Sequence, residues 1–211
     1  MKRPNEKTVT SKQIRTNLEF EIPSWDQIYT LLLCLAEKIQ KSGFKPDVII
    51  GVSRGGWIPA RIMSDILENP KLTNVTTEFY IGITKTKNEP TITQQVSLPV
   101  KDKKILVVDD LVDTGKSLKL LTEYLQNIGA AEIKIATIYC KPWSVTFPHY
   151  YEKMTRYWVI FPWERKEMIK KTIEQANKEG TLLDAKEKLI ISGLDKKLVD
   201  YFIKAIIEEI T

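Results

Sequence analysis

The chain has 211 residues, of which 43% are hydrophobic and 28% are charged, and its net charge is +5. This length and composition are typical of a globular protein with one full domain and a small appendage. No apolar run approaches the roughly 20 residues of a membrane span, and the first residues lack the apolar core of a signal peptide. We therefore expect a cytoplasmic protein with no membrane partner.

Few residues are available for nucleophilic or metal chemistry that depends on histidine or cysteine. His149 is the single histidine, so a catalytic triad would depend on it alone, and we do not expect one. Cys34 lies in an apolar helical pattern and Cys140 near a predicted strand end, which predicts two buried thiols rather than a disulfide. The lysines are scattered and no known nucleic-acid-binding motif is present, so we expect no nucleic-acid partner.

The N-terminal part predicts a polar segment followed by a long helix. Residues 1–17 are polar and indicate a tail or an edge strand. Ser24, with Gln27 three positions later, predicts a helix N-cap, and Gly43 predicts the helix end. Apolar residues recur at helical spacing between them, so we predict a helix over residues 25–41.

A buried strand is predicted over residues 47–52, followed by a turn and a helix over residues 57–67. In the turn, Ser53 and Arg54 precede Gly55 and a second glycine. Glycine lets a backbone approach a ligand closely, and a guanidinium group matches phosphate oxygens. On this stretch alone, a tight turn with a solvated arginine explains the residues better than an anion site does.

Two stretches rich in β-forming residues follow, over residues 75–84 and 91–98, and a polar turn separates them. This pattern predicts a hairpin-like arm over about residues 80–97 that extends from the sheet. An arm of this kind either closes over a site or is a surface hairpin without a function. The residues of this stretch do not distinguish between these two interpretations.

The stretch from residue 105 onward contains the features around which the predicted site is built. Residues 105–108 are apolar and mostly β-branched, which predicts a buried strand in the centre of a parallel sheet. Asp109 and Asp110 follow at the carboxyl end of this strand. A helical apolar pattern then continues until Gly129, so a strand, a turn and a helix succeed one another.

The turn between this strand and this helix has the composition of an anion-binding site. It consists of Asp113, Thr114, Gly115, Lys116 and Ser117. Its hydroxyl groups add hydrogen-bond donors to the N–H groups at the helix start, where the helix dipole favours negative charge. The spacing is not that of a Walker loop. A sugar phosphate with Mg²⁺ fits, because the preceding carboxylates can hold hydroxyls or a metal while the turn binds phosphate. The alternative is an ordinary turn with solvated carboxylates.

Two further strands are predicted, over residues 133–139 and 157–161. Lys141 follows the first strand and precedes a proline, which keeps the lysine backbone extended. A solvated lysine is the alternative to a lysine that contacts a ligand. The second strand contains Trp158 and leads into a Pro-Trp-Glu run that ends at Glu164. We expect Trp163, the tryptophan of this run, to lie in the core.

Three helical patterns complete the chain, over residues 164–179, 182–192 and 195–210. They predict a small helical bundle that covers a site or forms a subunit interface. We accordingly predict one domain over residues 1–165 and a helical extension over residues 166–211.

The run Val-Asp-Asp-Leu-Val-Asp-Thr-Gly at residues 108–115 closely resembles the signature of the type I phosphoribosyltransferases, especially the bacterial xanthine-guanine enzymes. The resemblance covers about residues 24–165 and implies an α/β fold with a mostly parallel central sheet flanked by helices. It also implies a homodimer and a Mg²⁺-dependent transfer in purine salvage, from 5-phosphoribosyl-1-pyrophosphate (PRPP) to a purine base. The family carries a mobile loop that covers the site where this chain has its predicted arm.

The resemblance assigns roles around PRPP. Arg54 would bind pyrophosphate and assist catalysis, after a cis peptide bond between Ser53 and Arg54 that the family often has. Asp109 and Asp110 would hold the ribose hydroxyls, and Asp110 with Glu164 would lie near the metal. The predicted substrate-binding residues, including those at the base, are Ser53, Arg54, Gly55, Asp109, Asp110, Asp113, Thr114, Gly115, Lys116, Ser117, Lys141, Trp158, Val159 and Glu164.

The resemblance also assigns roles around the base. Asp113 would accept the proton near N7, Lys141 would donate to a 6-oxo group, Trp158 would stack on the purine, and the Val159 backbone would read its edge. A lysine donor favours hypoxanthine, guanine or xanthine over adenine, which presents an amino group at position 6. Backbone groups near Val159 could read adenine instead, which keeps an adenine enzyme as an alternative.

A protein of another class fits part of the pattern. A non-catalytic regulator that senses PRPP or a nucleotide would keep the phosphate turn and lose catalytic groups. Arg54, both acids and Asp113 are all present, and no basic helix-turn-helix precedes them, so we favour the enzyme.

Overall fold

The computed structural model describes residues 20–79, 89–179 and 181–210. Within these ranges the chain forms eight strands and six helices. In chain order they are β1 (Phe20–Glu21), α1 (Trp25–Lys41), β2 (Val48–Ser53), α2 (Trp57–Ile66), β3 (Leu72–Phe79), β4 (Pro90–Gln94), β5 (Lys104–Val112), α3 (Lys116–Asn127), β6 (Glu132–Cys140), β7 (Tyr150–Met154), β8 (Trp158–Val159), α4 (Arg165–Glu179), α5 (Leu182–Ile191) and α6 (Lys196–Ile210). Across the described ranges, every helix is too short or too polar to span a membrane.

The main sheet has six strands in the order β4-β3-β2-β5-β6-β7. All neighbouring pairs are parallel except β3 and β4, which pair antiparallel as a hairpin. The predicted α/β fold with a mostly parallel central sheet is therefore confirmed. The predicted hairpin is confirmed by the pairing of β3 with β4, and residues 80–88 of the predicted arm lie outside the described residues.

The direction of the winding changes between β2 and β5. From β2 the chain moves outward through β3 to β4, and it then returns to the other side of β2 as β5 and continues to β6 and β7. In open parallel sheets, ligands bind outside the carboxyl ends of the strands at such a switch point. The fold therefore directs attention to the turns that follow β2 and β5.

The two strands at the switch point are the most buried part of the sheet. Residues 48–52 of β2 and 105–108 of β5 are all buried, as their unbroken apolar sequence predicts. Helix α1 begins as predicted, because the Ser24 side chain accepts a hydrogen bond from the Gln27 N–H and the Gln27 side chain accepts one from the Ser24 N–H. This capping box satisfies two N–H groups at the helix start.

Several predicted bounds are corrected by the structure. Strand β5 continues through the two acids to Val112, because its pairing with β6 continues to Cys140. Strand β7 was not predicted, since its Tyr-Tyr-Glu-Lys-Met sequence has neither a long apolar run nor a regular apolar alternation, as an edge strand in contact with water allows. The last predicted strand is reduced to the two residues of β8. Cys140 is a buried free thiol as expected, but Cys34 lies on the exposed face of α1 and is not buried.

The chain divides into two compact units. The larger one comprises residues 23–156 and 161–165 and contains the six-stranded sheet. The smaller one contains, among the described residues, 20–22, 157–160, 166–179 and 181–210. Its helices share an apolar core, and β1 pairs parallel with β8 within it. The core residues of this unit include Ile169, Ile173, Leu189, Leu194, Val199, Ile203 and Ile206.

Candidate active site

Three neighbouring parallel strands bring most of the predicted site residues to one edge of the sheet. In the pairing of β2 with β5, Gly51 lies opposite Val108, so the turn after β2 adjoins the two acids. In the pairing of β5 with β6, Val112 lies opposite Cys140, and the next N–H, that of Lys141, donates to the Val112 carbonyl at 2.8 Å. The turns after β2, β5 and β6 are therefore neighbours.

The two acids at the end of β5 are half-buried and hydrogen-bonded to the backbone. The Asp110 N–H donates to Asp109 Oδ1 at 3.0 Å, and the Leu111 N–H donates to Asp110 Oδ1 at 2.8 Å. Burial and the charge of Asp110 raise the pKa of Asp109 well above its ordinary value, and burial also raises the pKa of Asp110. Two neighbouring carboxylates with raised pKa values are poorly stabilised as anions, so a cation or hydroxyl donors would stabilise the pair.

The donor set of this acid pair fits Mg²⁺ bound together with a substrate. Carboxylate oxygens are hard ligands, and Mg²⁺ is commonly held by one or two carboxylates plus substrate phosphates. Within the described ranges, no group of three or more histidine, cysteine or acidic side chains is placed to form a metal site from protein ligands alone.

Trp163 contacts the acid pair, which the sequence did not predict. Its indole N–H donates to Asp110 Oδ2 at 3.4 Å, while its ring stacks on Phe161 with centroids 4.8 Å apart. We predicted Trp163 as a core residue, and its stacking on the buried Phe161 ring agrees with this. The polar edge of the ring, however, faces a site carboxylate, and only its position beside Glu164 in a Pro-Trp-Glu run could have indicated this.

The turn at residues 53–56, here called the β2 turn, lies directly against the acids. The peptide bond between Ser53 and Arg54 is cis, as the resemblance implied. A Cβ atom added at Gly55 would overlap the Asp110 carboxylate, which explains the need for glycine there. Ser53 Oγ accepts a hydrogen bond from Asn74 Nδ2 at 3.0 Å, and the Arg54 side chain is exposed at the edge.

The turn at residues 113–117, here called the β5 turn, leads into α3 with Gly115 in the left-handed conformation at φ 79°. A small cavity of about 130 Å³ lies beside it, lined by residues 109, 111–115, 117 and 118. The Thr114 carbonyl accepts a hydrogen bond from the Val145 N–H at 3.0 Å, so the loop after β6 is docked on this turn. The start of α3 and the hydroxyl groups of the turn therefore lie beside this cavity, and their anion-binding role stays a prediction.

Lys141 and Asp113 are joined by a residue that the sequence analysis missed. Lys141 is only 5% exposed. Its Nζ lies 5.4 Å from the ring centroid of Trp143, and the Trp143 indole N–H donates to Asp113 Oδ1 at 2.8 Å. Two of the four residues predicted to contact the base, Lys141 and Asp113, therefore flank one indole ring.

The remaining predicted residues lie in different parts of the chain. Trp158 and Val159 form β8 in the smaller unit, where Trp158 is exposed and Val159 is buried. Glu164 belongs to the larger unit, and its Oε1 accepts a hydrogen bond from the Phe161 N–H at 3.2 Å. The Arg165 guanidinium donates to the Pro23 carbonyl at 3.3 Å. The roles assigned to Trp158, Val159 and Glu164 stay predictions.

Comparison with known proteins identifies the family. Residues 24–167 match the family described as the phosphoribosyl transferase domain. A xanthine-guanine phosphoribosyltransferase from Gluconobacter oxydans (strain 621H) is 27% identical, covering 74% of this chain and 91% of the relative. A xanthine-guanine phosphoribosyltransferase from Cereibacter sphaeroides is 31% identical, covering 67% of this chain and 84% of the relative. The crystal structure of a purine phosphoribosyltransferase from Pyrococcus horikoshii Ot3 is 41% identical with a TM-score of 0.63, covering 69% of this chain and 93% of that chain. This chain therefore belongs to the phosphoribosyl transferase domain family.

Proposed function

We propose that this chain transfers the phosphoribosyl group of PRPP to a 6-oxopurine, releasing pyrophosphate and forming a nucleoside 5′-monophosphate. The names of the bacterial xanthine-guanine relatives and of the archaeal purine enzyme support this substrate class. The observation that carries the proposal is the acid pair between two turns at the switch point of the sheet. Such a site suits a ligand that has hydroxyls in its middle and phosphates at both ends.

In this proposal each part of PRPP has its own binding element. The 5′-phosphate binds at the β5 turn, where the start of α3 offers N–H groups and a favourable dipole. The pyrophosphate binds at the β2 turn beside Arg54. The ribose hydroxyls donate to Asp109 and Asp110, whose raised pKa values reflect carboxylates short of such partners. A bound Mg²⁺, held by Asp110 with Glu164 nearby, would supply positive charge for the pyrophosphate oxygens.

The base is recognised in this proposal by a donor and an acceptor side by side. On a 6-oxopurine, O6 and N7 are adjacent on one edge, and O6 accepts hydrogen bonds. Lys141 donates to O6, and the Asp113 carboxylate accepts the proton near N7. The resemblance adds stacking by Trp158 and an edge contact by the Val159 backbone. Adenine presents an amino group where the lysine would donate, so the hydrogen bond between Lys141 and the base is lost.

The reaction then follows from positioning and charge. The bond between C1 of the ribose and the pyrophosphate oxygen breaks ahead of attack, and positive charge develops on the ribose ring. A ring nitrogen of the purine forms the new bond to C1, and the proton near N7 passes to Asp113. Arg54 stabilises the departing pyrophosphate, and both turns hold the reactants in line. We also propose, from the resemblance, that the enzyme is a cytoplasmic homodimer.

A base panel tests the proposal. PRPP and Mg²⁺ are supplied with hypoxanthine, guanine, xanthine or adenine, and nucleotide formation is followed. We expect turnover of one or more oxopurines, with kcat/KM for adenine lower by about 10- to 100-fold, because a hydrogen bond from a charged donor contributes about 1.5–3 kcal/mol and adenine cannot accept it at position 6. Turnover of adenine alone would overturn the base assignment while retaining the reaction. Absence of turnover with every base would favour the non-catalytic regulator.

A matched pair of lysine variants sharpens the assignment of Lys141. Lys141→Met keeps the apolar stem of this buried side chain and removes its donor, whereas Lys119→Met changes an exposed lysine on α3. We expect Lys141→Met to lower kcat/KM for the preferred oxopurine by about 10- to 100-fold, as for other hydrogen bonds to charged groups. Lys119→Met should leave it unchanged. Equal effects of the two variants would contradict the role of Lys141.

A further inference from the structure

The loop after β6 carries an indole ring directly against the proposed proton acceptor. Trp143 Nε1 donates to Asp113 Oδ1 at 2.8 Å, a short hydrogen bond to a carboxylate. We propose that Trp143 is a positioning residue that fixes the orientation of the Asp113 carboxylate toward the base. This inference rests on the proposed function and deepens it.

Asp113 needs such a partner because of where it lies. It follows the end of β5, in a turn, and its side chain is exposed. A free carboxylate on a turn samples several rotamers, whereas proton transfer needs the acceptor within hydrogen-bond distance of the donor. A hydrogen bond to Oδ1 selects one orientation and leaves Oδ2 for the proton of the base.

Tryptophan suits this task because its indole N–H can only donate. It therefore always presents a donor to the carboxylate and never competes with it for the proton of the base. The ring is large and has two side-chain torsions, so a small number of contacts defines its orientation. A serine or asparagine at the same place could rotate and offer an acceptor instead.

The backbone is anchored on both sides of Trp143, which is itself 50% exposed. The Lys141 N–H donates to the Val112 carbonyl at 2.8 Å, and the Val145 N–H donates to the Thr114 carbonyl at 3.0 Å. Ser144, between these anchors, is buried, and its Oγ donates to the Thr146 carbonyl at 2.8 Å. The backbone that carries the indole is therefore tied to the same turn that carries Asp113.

The same ring also contacts the second base-reading residue. Lys141 Nζ lies 5.4 Å from the Trp143 ring centroid, which is within the range of a cation–π interaction. Trp143 thus binds a carboxylate through its edge and an ammonium group through its face. Because N7 and O6 are adjacent on a 6-oxopurine, one rigid ring sets the spacing of the acceptor and the donor that read them.

The decisive variant is Trp143→Phe, which keeps an aromatic face for Lys141 and removes the N–H donor. We expect kcat with the preferred oxopurine to fall by about 10-fold or more, since a hydrogen bond to a charged group contributes about 1.5–3 kcal/mol. The KM for PRPP and the melting temperature should stay unchanged. Phe147→Leu, which changes another exposed aromatic residue of this loop, serves as the control and should retain full kcat.

A double-mutant cycle separates positioning from general disturbance of the loop. If Trp143 acts through Asp113, then Trp143→Phe should have no further effect on kcat in an Asp113→Asn background, measured by single turnover at high enzyme concentration. An equal loss in both backgrounds, or an unchanged kcat of Trp143→Phe, would overturn the inference. Both results are measured on an enzyme whose wild type is active. A wild type that is inactive with every base would instead refute the proposed function, and the inference with it.

Discussion

The β2 turn and the β5 turn differ in what gives them their shape, although each follows a buried parallel strand and opens a helix. The β2 turn is shaped by the acids of the next strand: a Cβ atom at Gly56 would lie 2.7 Å from both Asp109 Oδ1 and the Val108 carbonyl oxygen. The β5 turn is shaped by the loop after β6, which contacts Gly115 through Ser144 and Thr146.

Each turn therefore depends on a neighbouring segment of the chain as well as on its own residues. In the β2 turn, glycine is required by close approach, since Gly56 has an ordinary φ of −69°. In the β5 turn, glycine is required by conformation as well, since Gly115 has a positive φ. The same residue type therefore fulfils different physical requirements at the two turns.

The strongest test concerns chemistry that only the β5 turn carries. Asp113→Asn removes the proton acceptor while preserving shape, so we expect kcat to fall by about 10²- to 10⁴-fold, the usual contribution of general base catalysis. PRPP binding should change far less, because the proposed phosphate contacts are made by other groups of the turn. Steady-state kinetics and titration with PRPP measure the two. An equal loss of both would contradict the assignment of Asp113.

Gly56→Ala tests whether the β2 turn depends on close approach to β5. The added methyl group would meet the Val108 carbonyl and the Asp109 backbone, which cannot move without disturbing the paired strands. We expect a loss of about 1–3 kcal/mol in the free energy of unfolding, as for overpacked buried sites. Urea denaturation measures it. Full stability would show that the turn can move away from the acids, and that the two strand ends are less tightly coupled than the structure indicates.

Gly115→Ala and Gly43→Ala form a matched pair that tests the β5 turn. Both glycines have positive φ values, 79° and 75°, but a Cβ atom at Gly115 would lie 2.7 Å from Ser144 Oγ and Thr146 N, whereas Gly43 has open space. Both variants should lose about 1 kcal/mol of stability from the left-handed conformation. Gly115→Ala should lose more and should also raise the KM for PRPP. Indistinguishable stabilities and activities would argue against docking of the loop on this turn.

The smallest expected effect is a pH dependence in the loop that supports the β5 turn. His149 Nδ1 accepts a hydrogen bond from the Ile135 N–H at 3.0 Å. Burial and the charge of Lys134 lower the pKa of His149, while Glu132 opposes this. The folded state thus binds fewer protons than the unfolded one, so this contribution is present above about pH 6.5 and is lost as the pH falls through the lowered pKa.

A non-titrating variant measures this contribution. His149→Asn keeps an acceptor near the position of Nδ1, so its stability should decline less than that of the wild type between pH 7.5 and 5.5. The difference should be below about 1 kcal/mol, because the residue is only partly buried and solvent screens the charges around it. Urea denaturation at both pH values provides the comparison. Parallel declines would assign the acid sensitivity to other groups.

The sequence predicted the fold and the family because the informative signals are local. The capping box at Ser24, the apolar run at residues 105–108 and the acids with the β5 turn each depend on residues close together in the chain. Parallel pairing then brings the strand ends together, so the neighbourhood of Arg54, the acids and Lys141 followed from topology. The resemblance supplied the chemistry, including the cis peptide bond.

The contacts that the sequence did not predict all join distant segments through one side chain. Trp143 and Asp113 are 30 positions apart, and Trp163 and Asp110 are 53 apart. A tryptophan in a loop has the same sequence pattern whether its N–H faces water, a core carbonyl or a site carboxylate. Strand β7 was missed for a related reason, since an edge strand in contact with water needs no apolar alternation.

The strand order has a consequence for how the protein acquires its site during folding. Strands β5 and β6 are joined by α3 alone. Strands β2 and β5 are much further apart in the chain: Asp47 and Lys104 are hydrogen-bonded where these strands meet, and they are 57 positions apart. Closing the longer loop between β2 and β5 costs more chain entropy, so we expect β2 to pair with β5 later than β6 does. We therefore expect the phosphate-binding half of the site to form first, and the acid pair to gain its glycine turn only when β2 docks. If the proposed site assignment holds, a partly folded chain would have the β5 turn for the 5′-phosphate and would lack the β2 turn for the pyrophosphate.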